Sequence, residues 1–267
     1  MFSFPQPLVI GMVHLPPLVG REGAVSFDAV CARGIADRDA LLAGGISGIM
    51  VENMYDFPHT ERLDDARRQE FRALLGVLTR DLSVPFGISL LWNDYPAAFA
   101  FASEFGASWI RVPVFVDSVA TQYGTFQADP AAVIRARDAA GAAGVGIFAD
   151  IQVKHAQMLA PRPIAESARA AAAAGADAII ITGTWTGEPA AMADVAEAHA
   201  AVSVPILIGS GMTAANIASY LPHIAGCIVG TSLKAGGAHD RTEHRLRTPW
   251  ETPVDSERVR VFMCAVQ

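Results

Sequence analysis

The chain has 267 residues, with 20 Lys and Arg against 27 Asp and Glu. Its formal charge of -7 excludes an extended nucleic-acid surface, which needs an excess of cations. It is 52% hydrophobic and 18% charged, with much of the apolar share in Ala, a composition suited to helices packed closely on a sheet. No apolar run reaches the roughly 18 residues of a membrane helix, and the start, Met1-Phe2-Ser3-Phe4-Pro5, lacks the basic stretch of an export signal; a cytoplasmic protein without membrane insertion is expected. Cys31, Cys227 and Cys264 are too few and too scattered for a disulfide framework or a zinc knuckle, and read as reduced core thiols.

Eight short apolar runs follow one another: Val9–Val13, Gly48–Val51, Phe86–Leu90, Trp109–Val112, Gly146–Ile151, Ala178–Ile181, Pro205–Ile208 and Cys227–Val229. Each leads into a polar loop and then a longer stretch with helical spacing, the pattern of repeated βα units with strands buried on both faces. Eight such units predict an α/β protein formed as a single (β/α)8 TIM barrel, one domain over residues 1–267. Gly45, Gly106, Gly144 and Gly175 stand where helices should end and the next strand begins. The loops after the strands are longer, notably Glu52 to Asp65, Pro113 to Asp129 and Thr231 to Pro253, so the carboxyl end of the barrel is the expected working face.

Candidate residues cluster at that end. His14 closes the first strand, either orienting charge or capping a loop. Glu52 and Asn53 close the second, Glu52 as a proton-transfer group or as the partner of a nearby cation. Asn93 follows the third strand, and Arg111 closes the fourth, where its guanidinium can grip a carboxylate or a phosphate bidentately. In Ala149-Asp150-Ile151-Gln152-Val153-Lys154-His155, period-two alternation places Asp150, Gln152 and Lys154 on one face if the strand runs that far. An Asp150–Lys154 pair there suits proton transfer, a lysine Schiff base or a plain salt bridge. Thr182 and Gly183 offer a hydroxyl and a close backbone approach to a substrate, or simply a polar turn.

Two segments read as a phosphate cup: Gly209-Ser210-Gly211 after the seventh strand and Gly230-Thr231-Ser232 after the eighth. Glycines let backbone N–H groups approach oxygens, and the hydroxyls add donors. The histidines lack metal-ligand spacing, so no metal site is assigned and no cofactor is required. A magnesium ion on Asp150 or Glu52 stays compatible, because such sites need only one or two carboxylates.

Taken together, Gly11-Met12-Val13-His14-Leu15-Pro16-Pro17-Leu18, Val51-Glu52-Asn53, Ala149 to His155, Thr182-Gly183 with Thr186-Gly187, Gly209 to Thr213 with Asn216, Ile228 to Lys234 and Pro253-Val254-Asp255 resemble the BtpA/SgcQ family, in order and over nearly the whole chain. The resemblance implies a barrel of the ribulose-phosphate-binding type. One branch of the family is named for photosystem I biogenesis and the other for a sugar-utilisation operon. Trp92 stands where the family commonly has a basic residue, and Gln122 where an acidic one is usual. The expected function is an enzyme acting on a small phosphorylated sugar or related metabolite, as isomerase, epimerase, lyase or hydrolase. Glu52, Asp150 and Lys154 would transfer protons, with His14 and Arg111 stabilising charge. The alternative is a non-catalytic biogenesis or assembly factor. A homo-oligomer is the default expectation for such a barrel.

Overall fold

In the computed structural model, which describes residues 7–236 and 250–267, eight parallel strands close into a barrel. They are β1 (Leu8–His14), β2 (Gly48–Glu52), β3 (Phe86–Ser89), β4 (Trp109–Val112), β5 (Gly146–Asp150), β6 (Ala178–Ile181), β7 (Ile206–Ile208) and β8 (Gly226–Val229). Each strand pairs with its sequence neighbours, and β8 returns to pair with β1, Val9 opposite Cys227. The intervening helices are α1 (Phe27–Ala43), α2 (Asp65–Leu78), α3 (Tyr95–Phe105), α4 (Pro130–Ala139), α5 (Ile164–Ala173), α6 (Met192–Ala201), α7 (Ile217–Tyr220) and α8 (Ser256–Ala265). This is the (β/α)8 barrel that the alternation predicts.

Side-chain caps set where several helices begin. Asp64 accepts from the Arg67 N–H, Asp94 from Ala97 and Asp129 from Ala132, while Pro96 and Pro130 occupy first-turn positions that need no donor. Left-handed glycines at Gly45, Gly106 and Gly175 follow helix ends as expected. After α4 the left-handed residue is Gly141, with φ 63°, rather than Gly144.

Alternation along the strands makes two cores. Val9, Ile49, Ile110, Ile147, Ile179 and Ile206 face outward and pack under the helices against residues such as Phe71, Leu74, Phe99 and Phe262. Leu8, Ile10, Met50, Trp109, Phe148, Ile180 and Leu207 face inward and fill the barrel. Trp109 and Phe148 stack there with centroids 5.2 Å apart, and the indole lies so close over Gly87 that a Cβ at that position would overlap it. Of the three cysteines, Cys227 is buried, Cys31 half-buried and Cys264 exposed, so only the first is a core thiol.

A feature the sequence reading lacks sits at the carboxyl end. Val119–Thr121 and Gly124–Phe126 in the loop after β4 form a hairpin, and Gln157–Met158 from the loop after β5 adds a third antiparallel strand. Much of the expected loop from Thr231 to Pro253 lies outside the described residues. Among the described residues no helix is long and apolar enough to cross a membrane.

Candidate active site

The strand register sets the inward residues at the carboxyl ends side by side: His14 is level with Glu52, Glu52 with Ser89, and Ser89 with Arg111. All are buried, as is Asp150 at the end of β5. Arg111 donates from Nε and Nη2 to the two Asp150 carboxylate oxygens, each at 2.8 Å, and its Nη1 lies 3.5 Å from Glu52 Oε2. Ser89 donates to the same Glu52 oxygen at 2.7 Å, and His14 Nε2 lies 3.6 Å from Oε1. Burial opposes the guanidinium charge, but Asp150, and then Glu52, reverse this and raise the Arg111 pKa. Burial, followed by the charges of Lys234, Lys154 and Arg111, holds the His14 imidazole well below its ordinary value and therefore neutral at pH 7.

Beyond Asp150 the expected alternation stops. Gln152 turns into a left-handed conformation, φ 47°, and its amide donates to the Arg162 carbonyl, so Asp150, Gln152 and Lys154 do not share a strand face. The turn is braced by Asp117, which accepts from the Gln152 N–H and the Arg162 guanidinium. The Lys154 N–H donates to Thr182 Oγ1 at 3.2 Å, and the side chain lines the central cavity. Burial in the cavity wall, then the Arg111 charge, push the Lys154 ammonium down to about 8, against the pull of Glu52 and Asp150.

The loops after β7 and β8 also line this cavity, but their glycines and hydroxyls answer largely to each other. A Cβ on Gly209 would press on Ile180 and Thr182, and one on Gly211 would overlap the Glu188–Pro189 backbone. A Cβ on Gly230 would come within 2.7 Å of the His14 ring. These glycines are therefore required by loop packing whether or not an anion binds. Ser210 accepts from the Gly183 N–H and donates to the Glu188 carbonyl, and Ser232 donates to the Met212 carbonyl, so both expected phosphate donors tie neighbouring loops together. The Thr231 hydroxyl has no such partner among the described residues. The N–H groups of Thr231 and Ser232 open the short turn Thr231–Leu233, whose own carbonyls lie ahead of them.

The cavity, about 1020 Å³, brings together His14, Glu52, Arg111 and Lys154 with the Gly209–Thr213 and Gly230–Ser232 segments. Other expected site residues are elsewhere. Asn53 is fully buried, its amide bonded to Asp56 and to both backbone groups of Leu91, and Asn93 exchanges two bonds with the Val114 backbone; both amides brace loops and neither lines the cavity. Asp150 has both oxygens held by Arg111 and does not line the cavity. Thr182 and Gly183 support Lys154 and Ser210 from behind the cavity wall. Among the described residues, no three His, Cys, Asp or Glu side chains converge to hold a metal. Ser89 was missed, although its place two residues beyond Gly87 on the inward face marks it. The cavity also takes in Trp92 and Gln122, the two departures from the family pattern, together with Tyr123.

Fold and site define an eight-stranded parallel βα barrel with a cavity at the carboxyl ends of its strands. Tryptophan synthase from Mycobacterium tuberculosis superposes with a TM-score of 0.63 at 15% identity, over 98% of this chain and 93% of that one. N-(5'-phosphoribosyl)anthranilate isomerase from Pyrococcus furiosus gives 0.56 at 10% identity, over 97% and 98%. At such identities the likeness concerns the fold alone. The BtpA family profile matches residues 6–267. The photosystem I biogenesis protein BtpA of Synechocystis sp. is 36% identical over 233 residues, 86% of this chain and 81% of the relative. The chain belongs to the BtpA family.

Proposed function

We propose that this chain is an enzyme acting on a small phosphorylated metabolite, with the phosphoryl group held at the loops after β7 and β8 and the reacting carbon above Lys154 and Glu52. One observation carries the reading: a single cavity is lined both by those loops and by the Lys154 and Glu52 side chains. The net charge of -7 offers no long-range attraction for an anion, so local N–H groups, the Thr231 hydroxyl and the Lys154 charge supply the grip.

An ammonium pushed down to about 8 exchanges its proton near neutral pH, and the Glu52 carboxylate, steadied by Ser89 and Arg111, is placed to accept one. This pair suits proton transfer beside a carbonyl, the step of isomerases and epimerases. A neutral Lys154 amine can also add to a substrate carbonyl and lose water to form a Schiff base, the entry to carbon–carbon cleavage. A thermal-shift screen of phosphosugars, followed by product analysis on the hits, tests the enzyme reading, and borohydride trapping separates the two lysine roles. The name of the Synechocystis relative favours a second reading, an assembly factor. A stable protein partner in pull-downs, with no phosphosugar hit in replicate screens, would establish that reading instead.

A further inference from the structure

At about 1020 Å³ the cavity stands at the upper end of clefts that bury drug-sized ligands, so a pentose phosphate alone leaves much of it unfilled. The remainder has a distinct lining. Phe57 and His59, from the loop after β2, and Tyr123, from the loop after β4, form one aromatic group on the cavity wall. Phe57 and His59 have centroids 4.5 Å apart, and Tyr123 meets His59 edge to face at 5.2 Å. In a closed ring of eight strands β3 lies across the axis from β7, and the aromatic group reaches from the loop after β2 to the loop after β4, over β3, so it stands opposite the Gly209–Gly211 loop in a cavity that Glu52, Arg111 and Lys154 also line.

Turn chemistry does not explain Tyr123. It occupies the two-residue tip of the hairpin, between Thr121 and Gly124, where small polar residues and glycine are the usual choice. Its tip neighbour Gln122 is exposed, whereas Tyr123 folds inward, half-buried, onto the cluster of Trp92, Val114 and Phe126. Mutual ring contacts arrange the wall before any ligand arrives, which lowers the ordering cost of binding.

We propose that the substrate is a phosphomonoester carrying a flat aromatic ring at its other end, the ring resting on Phe57, His59 and Tyr123. The proposal deepens the phosphometabolite reading and rests on it for the phosphoryl end only. The test is calorimetry on the full chain with adenosine 5'-monophosphate, ribose 5-phosphate and adenosine, each with Tyr123→Ala, Tyr123→Phe and Phe57→Ala. The nucleotide should bind about tenfold more tightly than ribose 5-phosphate, the scale of one ring stacked on an aromatic side chain. Tyr123→Ala and Phe57→Ala should each erase most of that advantage, Tyr123→Phe should keep it, and ribose 5-phosphate affinity should stay the same in all three. Equal affinity for nucleotide and sugar phosphate, an advantage untouched by both alanine variants, or no binding of any probe at millimolar concentration would overturn the ring subsite. Adenosine binding as tightly as the nucleotide, and weakened alike by the alanine variants, would instead keep the aromatic wall and overturn the phosphoryl end.

Discussion

Along β4, Trp109 and Arg111 enter the same barrel interior one pleat apart, yet they belong to opposite environments. Trp109 is sealed among Leu8, Ile10, Met50, Phe148 and Leu207, whereas Arg111 is held by two carboxylates beneath an open cavity. β1 changes in the same way from Ile10 to His14, β2 from Met50 to Glu52, and β5 from Phe148 to Asp150. The lower layer makes the barrel stable. The upper layer keeps charges where hydrophobic groups of similar volume would often be as stabilising or more so, which argues that those charges serve binding or chemistry.

The sharpest separation of the two layers should come from Lys154→Met. If the amine transfers the proton or forms the Schiff base, turnover on the identified substrate should fall on the order of a thousandfold. Folding should not suffer: the folded-state pKa of about 8 lies below the ordinary 10.5, so the wild-type chain bears the cost of a buried charge below pH 8. That cost is relieved as pH rises from about 8 to 10.5, where the folded state has released a proton that the unfolded state still binds. The variant should therefore be more stable at pH 7 by on the order of 1 kcal/mol, with the gap closing by pH 10.5. Urea melts at several pH values would reveal it, and a variant less stable at pH 7 would contradict the burial argument.

Asp150→Leu strands the Arg111 guanidinium in the barrel and should cost about 3–5 kcal/mol, whereas Arg111→Met with Asp150→Leu should recover most of that stability without recovering turnover. Trp109→Ala in the lower layer should cost a similar 3–5 kcal/mol through the cavity it leaves, while the folded fraction retains turnover. Denaturant titration paired with activity per folded molecule compares the three; a fully active double variant would make the charged layer merely structural. Thr231→Val is a smaller change: it removes a hydroxyl while keeping shape, and should weaken phosphorylated ligands about tenfold with no shift in melting temperature. Smallest of all, EDTA should leave turnover within assay error, since Lys154 already supplies positive charge; loss of activity restored by magnesium would place a cation beside Glu52.

Much of the barrel was legible because parallel strands covered on both faces appear as uninterrupted apolar runs, and most of the helix ends because glycine takes the left-handed conformation there. His14, Glu52, Arg111 and Lys154 were legible as polar residues at or just beyond strand ends. The loop partners of Asn53, Asn93 and Ser210 were not legible, because amides and hydroxyls suit a loop backbone as well as they suit a ligand, and those partners lie 38, 21 and 22 residues away. The accessory sheet escaped notice because its third strand has only two residues, Gln157 and Met158, and its pairing is contributed from another loop.

The amino-acid sequence by itself determined the order of eight βα units, the helix caps and the set of polar side chains delivered to one end of the barrel, since each depends on periodicity or on groups a few residues apart. Only the tertiary structure decided which of those side chains neutralise one another and which remain facing the cavity. Arg111 meets Asp150 and Glu52 from 39 and 59 residues away, and strand closure alone sets those distances. Because charge interactions and desolvation depend on separation in space, the same closure engages Asp150 with Arg111 and leaves Lys154 at the cavity with its pKa near 8.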